Sequence, residues 1–172
     1  MAATTSRCDL RPYVQRRDFG RLVSPFKNIR VKDIVAGLNG NRENGNIDGE
    51  PHFVLFLNNS IATIDELESL CASVGQHITT NRRYFPYGIN TSLVVERERV
   101  EGAQLVFACT FERGVEYVTR ACGTAAALIG SYLLSQQTDL HAVNVRMPGG
   151  TLIIESDEQK RYYMTGPANP IT

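Results

Sequence analysis

Apolar and polar positions change period several times along this chain. Pro51-His52-Phe53-Val54-Leu55-Phe56-Leu57 is an apolar run of strand length bounded by Asn58-Asn59, and it predicts a buried strand. Ile29 to Val35 alternates once and predicts another. From Ile64 the apolar positions (Ile64, Leu67, Leu70, Cys71) fall at helical spacing. Thr63 stands as N-cap there with Glu66 three residues on, a capping box. Residues 89–97 and 104–111 read as two strands separated by Glu101-Gly102. Residues 123–135 carry Ala125, Ala126, Ala127, Leu128, Ile129, Tyr132, Leu133 and Leu134, leaving almost no polar face, which predicts a buried helix. Strands follow at 140–147 and 151–155, joined by Pro148-Gly149-Gly150, with a further one at 161–165.

Short strands, mostly hairpin-linked, around one fully buried helix imply an α+β fold. Its sheet is expected to be mainly antiparallel, a curved sheet or barrel wrapped around that central helix, with no βαβ repeat in the spacing. Two regions are expected. Residues 1–50 form a divergent N-terminal segment, arginine-rich and aperiodic over 1–20, with a mobile Asn/Gly-rich loop at 36–50. Residues 51–172 form the main domain.

Composition narrows the function. The formal charge is zero and no basic block interleaves with aromatics, which argues against a nucleic-acid partner. No apolar run approaches the roughly 20 residues of a membrane span. Met1 to Arg7 lacks an apolar signal-peptide core, so a cytoplasmic location is expected. The cysteines, Cys8, Cys71, Cys109 and Cys122, show no C-x-x-C spacing and no neighbouring histidine in metal-ligand spacing, so no metal site is expected. Cys71 and Cys109 read as buried apolar filler.

Cys122 differs. Glu112-Arg113-Gly114 leads toward Ala121-Cys122-Gly123-Thr124, where the cysteine opens the apolar helix. Amides at a helix start favour negative charge, so they are expected to stabilise a Cys122 thiolate and to bind a carboxylate through Gly123 and Thr124. The lysines, Lys27, Lys32 and Lys160, stand in no motif for pyridoxal phosphate, which favours chemistry without a cofactor. Plainer readings stand beside these: an inert cysteine, a solvated strand end at Glu112-Arg113, a core histidine at His52 and a turn-shaping Asn90.

Six short motifs occur in order: Pro51-His52-Phe53-Val54, Phe85-Pro86-x-Gly88-Ile89-Asn90, Glu112-Arg113-Gly114, Cys122-Gly123-Thr124, Pro148-Gly149-Gly150 and Gly166-Pro167-Ala168. Together they make the chain from Pro51 onward resemble the carboxy-terminal half of the diaminopimelate epimerase family. The resemblance implies a cofactor-independent isomerase of the lysine and peptidoglycan precursor pathways, interconverting LL and meso forms by thiol proton transfer. It implies Cys122 as one of two acid–base thiols, with Glu112 and His52 tuning the thiols. It further implies Arg113 and Asn90 as holders of the substrate's polar ends.

Three departures accompany the resemblance. The family's first catalytic cysteine, in a C-G-N-G-type motif, has no counterpart, and Arg7-Cys8 matches that motif poorly. Glu50 replaces the family's asparagine and would repel an acidic substrate. Cys-Gly-Thr-Ala at 122–125 replaces C-G-T-G, and Val118 stands where the family has a glutamate. A homodimer or a complementing chain carrying the N-terminal half is therefore expected. The alternatives are a catalytically inactive binding or structural domain on the same fold, and a racemase of another amino acid.

Overall fold

The computed structural model describes residues 16–167 except 40, 41, 44, 45, 48, 49 and 59. Cys8, Ala168 and parts of the 36–50 segment lie outside the described residues. The elements are α1 (Arg16–Val23), β1 (Val31–Asn39), β2 (Arg42–Glu43), β3 (Asn46–Ile47), β4 (Glu50–Leu57), α2 (Ile64–Thr79), β5 (Asn90–Val100), β6 (Ala103–Phe111), β7 (Val118–Thr119), α3 (Gly123–Gln136), β8 (Ala142–Met147), β9 (Gly150–Ser156) and β10 (Tyr162–Thr165). Strand β1 includes residues 36–39, the start of the segment whose composition suggests a loop.

The main sheet runs β1-β4-β5-β6-β8-β9-β10 with β7 appended to β6. The fold is α+β, and the sheet is open, curved and mixed rather than hairpin-built throughout. Parallel pairing enters at β4–β5 and at β6–β8. Each parallel pair is joined through a helix, α2 in the first and α3 in the second, so two βαβ crossovers exist where spacing suggested none. Strands β5 and β6 are antiparallel, so the two crossovers step the same way across the sheet with opposite strand polarity. Crossovers of the usual right hand then require α2 and α3 to lie on opposite faces.

The two cores show that they do. Strand side chains alternate between faces, and in β4 Phe53, Leu55 and Leu57 pack with Leu67, Cys71, Val74 and Ile78 of α2. Val54 and Phe56 pack with Ala125, Ala126, Ile129 and Leu133 of α3. The same parity holds in β6, where Cys109 and Phe111 face α2 while Val106 and Ala108 face α3. The buried apolar helix expected at 123–135 is α3, and the sheet carries α2 as well on its other face.

Local chemistry fixes the ends of α2. Thr63 Oγ1 accepts from the Glu66 amide at 3.2 Å, and the Glu66 carboxylate accepts from the Thr63 amide at 3.3 Å, closing the capping box. In contrast, Cys122 occupies the N-cap of α3 with extended backbone and makes no capping bond with its side chain. Its sulfur is left for other contacts. Among the described residues, no helix is long and apolar enough to cross a membrane.

Candidate active site

Parity explains how the site assembles. Positions 50, 52, 54 and 56 of β4 share the α3 face, and His52 lies in register with Asn90 on β5. Ser92 pairs with Thr110 on β6, which carries the same face forward to Glu112. The start of β4, the start of β5, the end of β6 and the start of α3 therefore meet at one end of the sheet. Glu50, His52, Asn90, Glu112, Arg113, Cys122 and Thr124 come from these four places.

One group centres on the thiol. Cys122 Sγ lies 3.3 Å from Thr124 Oγ1, and Thr124 Oγ1 lies 2.9 Å from His52 Nε2. The threonine hydroxyl thus bridges thiol and imidazole. With a protonated thiol, Cys122 can donate to Thr124 and Thr124 to His52; with a thiolate the chain can run in reverse. His52 is fully buried, and its Nδ1 has no hydrogen-bond partner among the described residues. Burial holds its pKa down from 6.5 to about 4, with the Glu50 carboxylate opposing that shift. The imidazole is therefore neutral near pH 7.

Burial also pushes the Cys122 thiol above its usual value. The Thr124 hydroxyl and the Ala125 amide oppose the shift, while the Glu112 carboxylate adds to it. This corrects the expectation that the helix start sets the ionisation: desolvation of the buried Cys122 outweighs the Thr124 hydroxyl and the Ala125 amide. Thr119 Oγ1 donates to Glu112 Oε1 at 2.6 Å and holds that carboxylate in place. The Cys122 amide donates to Met147 Sδ at 3.4 Å, which ties the cysteine to the end of β8.

The second group centres on Arg113. Its Nε and Nη2 donate to the two carboxylate oxygens of Glu50 at 3.1 and 3.3 Å, and its backbone amide donates to Asn90 Oδ1 at 2.9 Å. Asn90 Nδ2 donates in turn to Glu50 Oε2 at 3.3 Å. Arg113 Nη1 donates to the Tyr87 carbonyl at 3.3 Å. The Arg113 fork, first among the causes, holds the Glu50 carboxyl below the usual range.

Two glycines have structural roles here. A Cβ on Gly149 would stand 2.8 Å from the Arg120 carbonyl oxygen, so Pro148-Gly149-Gly150 needs glycine for close backbone approach. A Cβ on Gly123 would come 3.3 Å from Met164 Cε, which places β10 beside the start of α3.

All seven site residues expected from sequence (His52, Asn90, Glu112, Arg113, Cys122, Gly123, Thr124) fall at this end of the sheet. Sequence reasoning missed Thr119, Met147 and the capture of Arg113 by Glu50. The last was legible in principle, because Glu50 and His52 are two apart on one strand and must share a face. Cys71 and Cys109 lie away from the site, fully buried on the α2 face, as expected of filler; burial pushes Cys71 up to about 12. Among the described residues no cluster of histidine, cysteine and carboxylate groups is arranged to hold a metal ion.

The family model described as diaminopimelate epimerase matches residues 48–171. The diaminopimelate epimerase of a Hydrogenobaculum species is 31% identical over 148 residues, covering 84% of this chain and 49% of that protein. That of Chlorobaculum tepidum is 34% identical over 127 residues, covering 72% and 45%. That of Nostoc punctiforme is 37% identical over 127 residues, covering 72% and 40%. The chain thus spans about half the length, or less, of these curated relatives. A solved Bacillus anthracis phenazine biosynthesis protein of the PhzF family superposes with a TM-score of 0.41 at 17% identity, over 79% of this chain and 38% of that one.

Proposed function

This chain belongs to the diaminopimelate epimerase family, and we propose that it supplies one face of a cofactor-independent amino-acid epimerase site. The observation that carries this reading is the Cys122–Thr124–His52 chain at the opening turn of a buried helix. Cys122 is the acid–base group. As thiolate it takes the substrate α-proton and becomes a thiol; as thiol it returns a proton to the α-carbon and becomes a thiolate.

The α-carbanion needs its charge spread onto the carboxylate. Amide donors in the first turn of α3, at Gly123 and Thr124, are suited to hold that carboxylate as charge builds. The Glu112 carboxylate raises the thiol, and His52 reaches it through the Thr124 hydroxyl. A neutral His52 accepts the Thr124 hydroxyl proton when the thiol is protonated, and donates when it is not. Inversion needs a second acid–base group on the opposite face. We assign that group to a thiol from outside this site, supplied by another domain, a second copy or a complementing chain. The substrate on this reading is diaminopimelate, converted between LL and meso forms for lysine and peptidoglycan precursors.

The Glu50–Arg113 ion pair favours a second reading on the same fold: a racemase of an amino acid without a distal carboxylate, or a binding domain with no turnover. The readings separate in deuterated water. Loss of the α-proton signal of an amino acid by proton NMR marks exchange, and a panel of amino acids identifies the substrate. Exchange in the native chain and none in Cys122→Ser supports thiol chemistry. Undiminished exchange in Cys122→Ser would sink it, and no exchange with any amino acid in the presence of a complementing half favours the binding domain.

A further inference from the structure

The carboxylate of Glu50 is bound as a ligand would be. It takes two donors from the Arg113 fork, at 3.1 and 3.3 Å, and a third from the Asn90 amide at 3.3 Å. The Arg113 backbone amide fixes Asn90 in turn, so the three donors are held in one orientation. A guanidinium fork with a neighbouring amide is the donor set that recognises a free carboxylate. The pair is also open to solvent: the side chains of Arg113 and Glu50 are 31% and 50% exposed. Buried His52 lies two positions along β4 from Glu50 on the same face, and its Nε2 is linked through Thr124 to Cys122.

We propose that Glu50 is an internal plug: its carboxylate occupies the Arg113–Asn90 cradle and determines specificity by excluding the carboxylate of a bound amino acid from it. The proposal rests on the reading of this end of the sheet as an amino-acid site, and it sets how far the native chain disfavours a second carboxylate, that of diaminopimelate included. A molecule bearing no carboxylate at that end meets a neutral, already paired surface. A molecule bearing one must displace Glu50. Because the pair is solvated, the penalty is on the order of tenfold rather than absolute.

Titration with meso-diaminopimelate, followed through the Arg113 Nε–H resonance at low salt, tests this in the native chain, Glu50→Gln and the double variant Glu50→Gln/Arg113→Gln. Glu50→Gln should bind on the order of tenfold more tightly than the native chain, with a shift of the Arg113 resonance, and the double variant should lose the gain. Glu50→Ala should reproduce it, since residue 50 is exposed at a strand start. Equal affinity in the native chain and both Glu50 variants overturns the plug, as does a gain that survives loss of Arg113. Binding gained through Arg113 without α-proton exchange leaves the plug standing and removes the epimerase reading. Cys122-dependent exchange with no Arg113-dependent gain does the opposite.

Discussion

His52 bears the largest electrostatic cost in the site, because a fully buried imidazole cannot accept a charge cheaply. Its folded-state pKa of about 4 lies below the unfolded value of 6.5. The unfolded chain therefore binds the proton first, and the stability due to neutral His52 is present above pH 6.5 and lost as pH falls toward 4. The loss can reach about 3 kcal/mol. Urea midpoints at pH 7, 5.5 and 4 should fall in the native chain and fall less in His52→Gln. Equal slopes would show that another group governs the acid limb. Thiol reactivity follows the same reasoning. Of Cys71, Cys109 and Cys122, the last retains 7% exposure and the others none, so limiting alkylation should label Cys122 first. The rate should be slow near neutral pH and climb with pH, because burial has raised that thiol. Mass spectrometry showing Cys109 labelled before Cys122 would overturn the site assignment. The residues that the structure gathers at the candidate site were legible in the sequence because each sits in a short motif. Their ionisation was not, because desolvation depends on how α3 packs against the sheet, and no local spacing encodes that.

Elements were legible where one signal dominated. The apolar run of β4, the capping box of α2 and the unbroken apolar surface of α3 each predict an element that the structure contains. The pairing of those elements was less legible. Glu101-Gly102 and Pro148-Gly149-Gly150 suggested mostly hairpin-linked strands, and both do join antiparallel pairs, while the two parallel pairs depend on which face each helix crosses, a property of non-local packing. Two glycines inside helices record that packing. A Cβ on Gly75 of α2 would stand 2.3 Å from Phe111 Cβ, and one on Gly130 of α3 would stand 2.4 Å from Ile154 Cβ. Glycine in a helix normally costs about 1 kcal/mol relative to alanine, so an Ala substitution at an open site stabilises. Overpacking a tight contact costs about 1–3 kcal/mol, and here the clash involves Cβ atoms anchored to the sheet. Gly75→Ala and Gly130→Ala should therefore destabilise, by on the order of 1–2 kcal/mol net. Gly20→Ala in α1, where nothing lies within 4 Å, should show the helix gain alone. Urea denaturation reads all three, and stabilisation at Gly75 or Gly130 would mean that helix and sheet are less closely packed than described. Thr63→Ala should cost about 1 kcal/mol through loss of the α2 cap.

At the scale of the whole molecule, several of the large apolar side chains that stay exposed lie toward the site end of the sheet. Tyr87 is 78% exposed beside Arg113, Tyr117 61% in the turn after Glu112, and Met164 49% against the start of α3. Tyr117 lies on the α2 side, but Tyr87 beside Arg113 and Met164 beside Gly123 flank the site and make a surface suited to cover by protein. Stereochemistry makes the same demand. One thiol reaches one face of an α-carbon, so proton exchange on that face returns the original configuration, whereas inversion needs a donor opposite. The described residues place one candidate thiol at the site, Cys122, with Cys71 and Cys109 buried against α2. As an isolated monomer, the chain should therefore exchange the α-proton of its substrate slowly and with retention. Slowness follows because an uncovered site admits water and leaves the substrate less constrained, forfeiting part of the gain that positioning provides. Adding a polypeptide that carries a second thiol against this face should make exchange faster and couple it to inversion. Cys122→Ser should remove both, and Glu112→Gln should slow both while leaving binding in place. Proton NMR in deuterated water gives the exchange, and chiral separation of the product gives its configuration. Inversion by a verified monomer at the rate of its exchange would overturn the single-face reading, since it would require a second acid–base group within this chain.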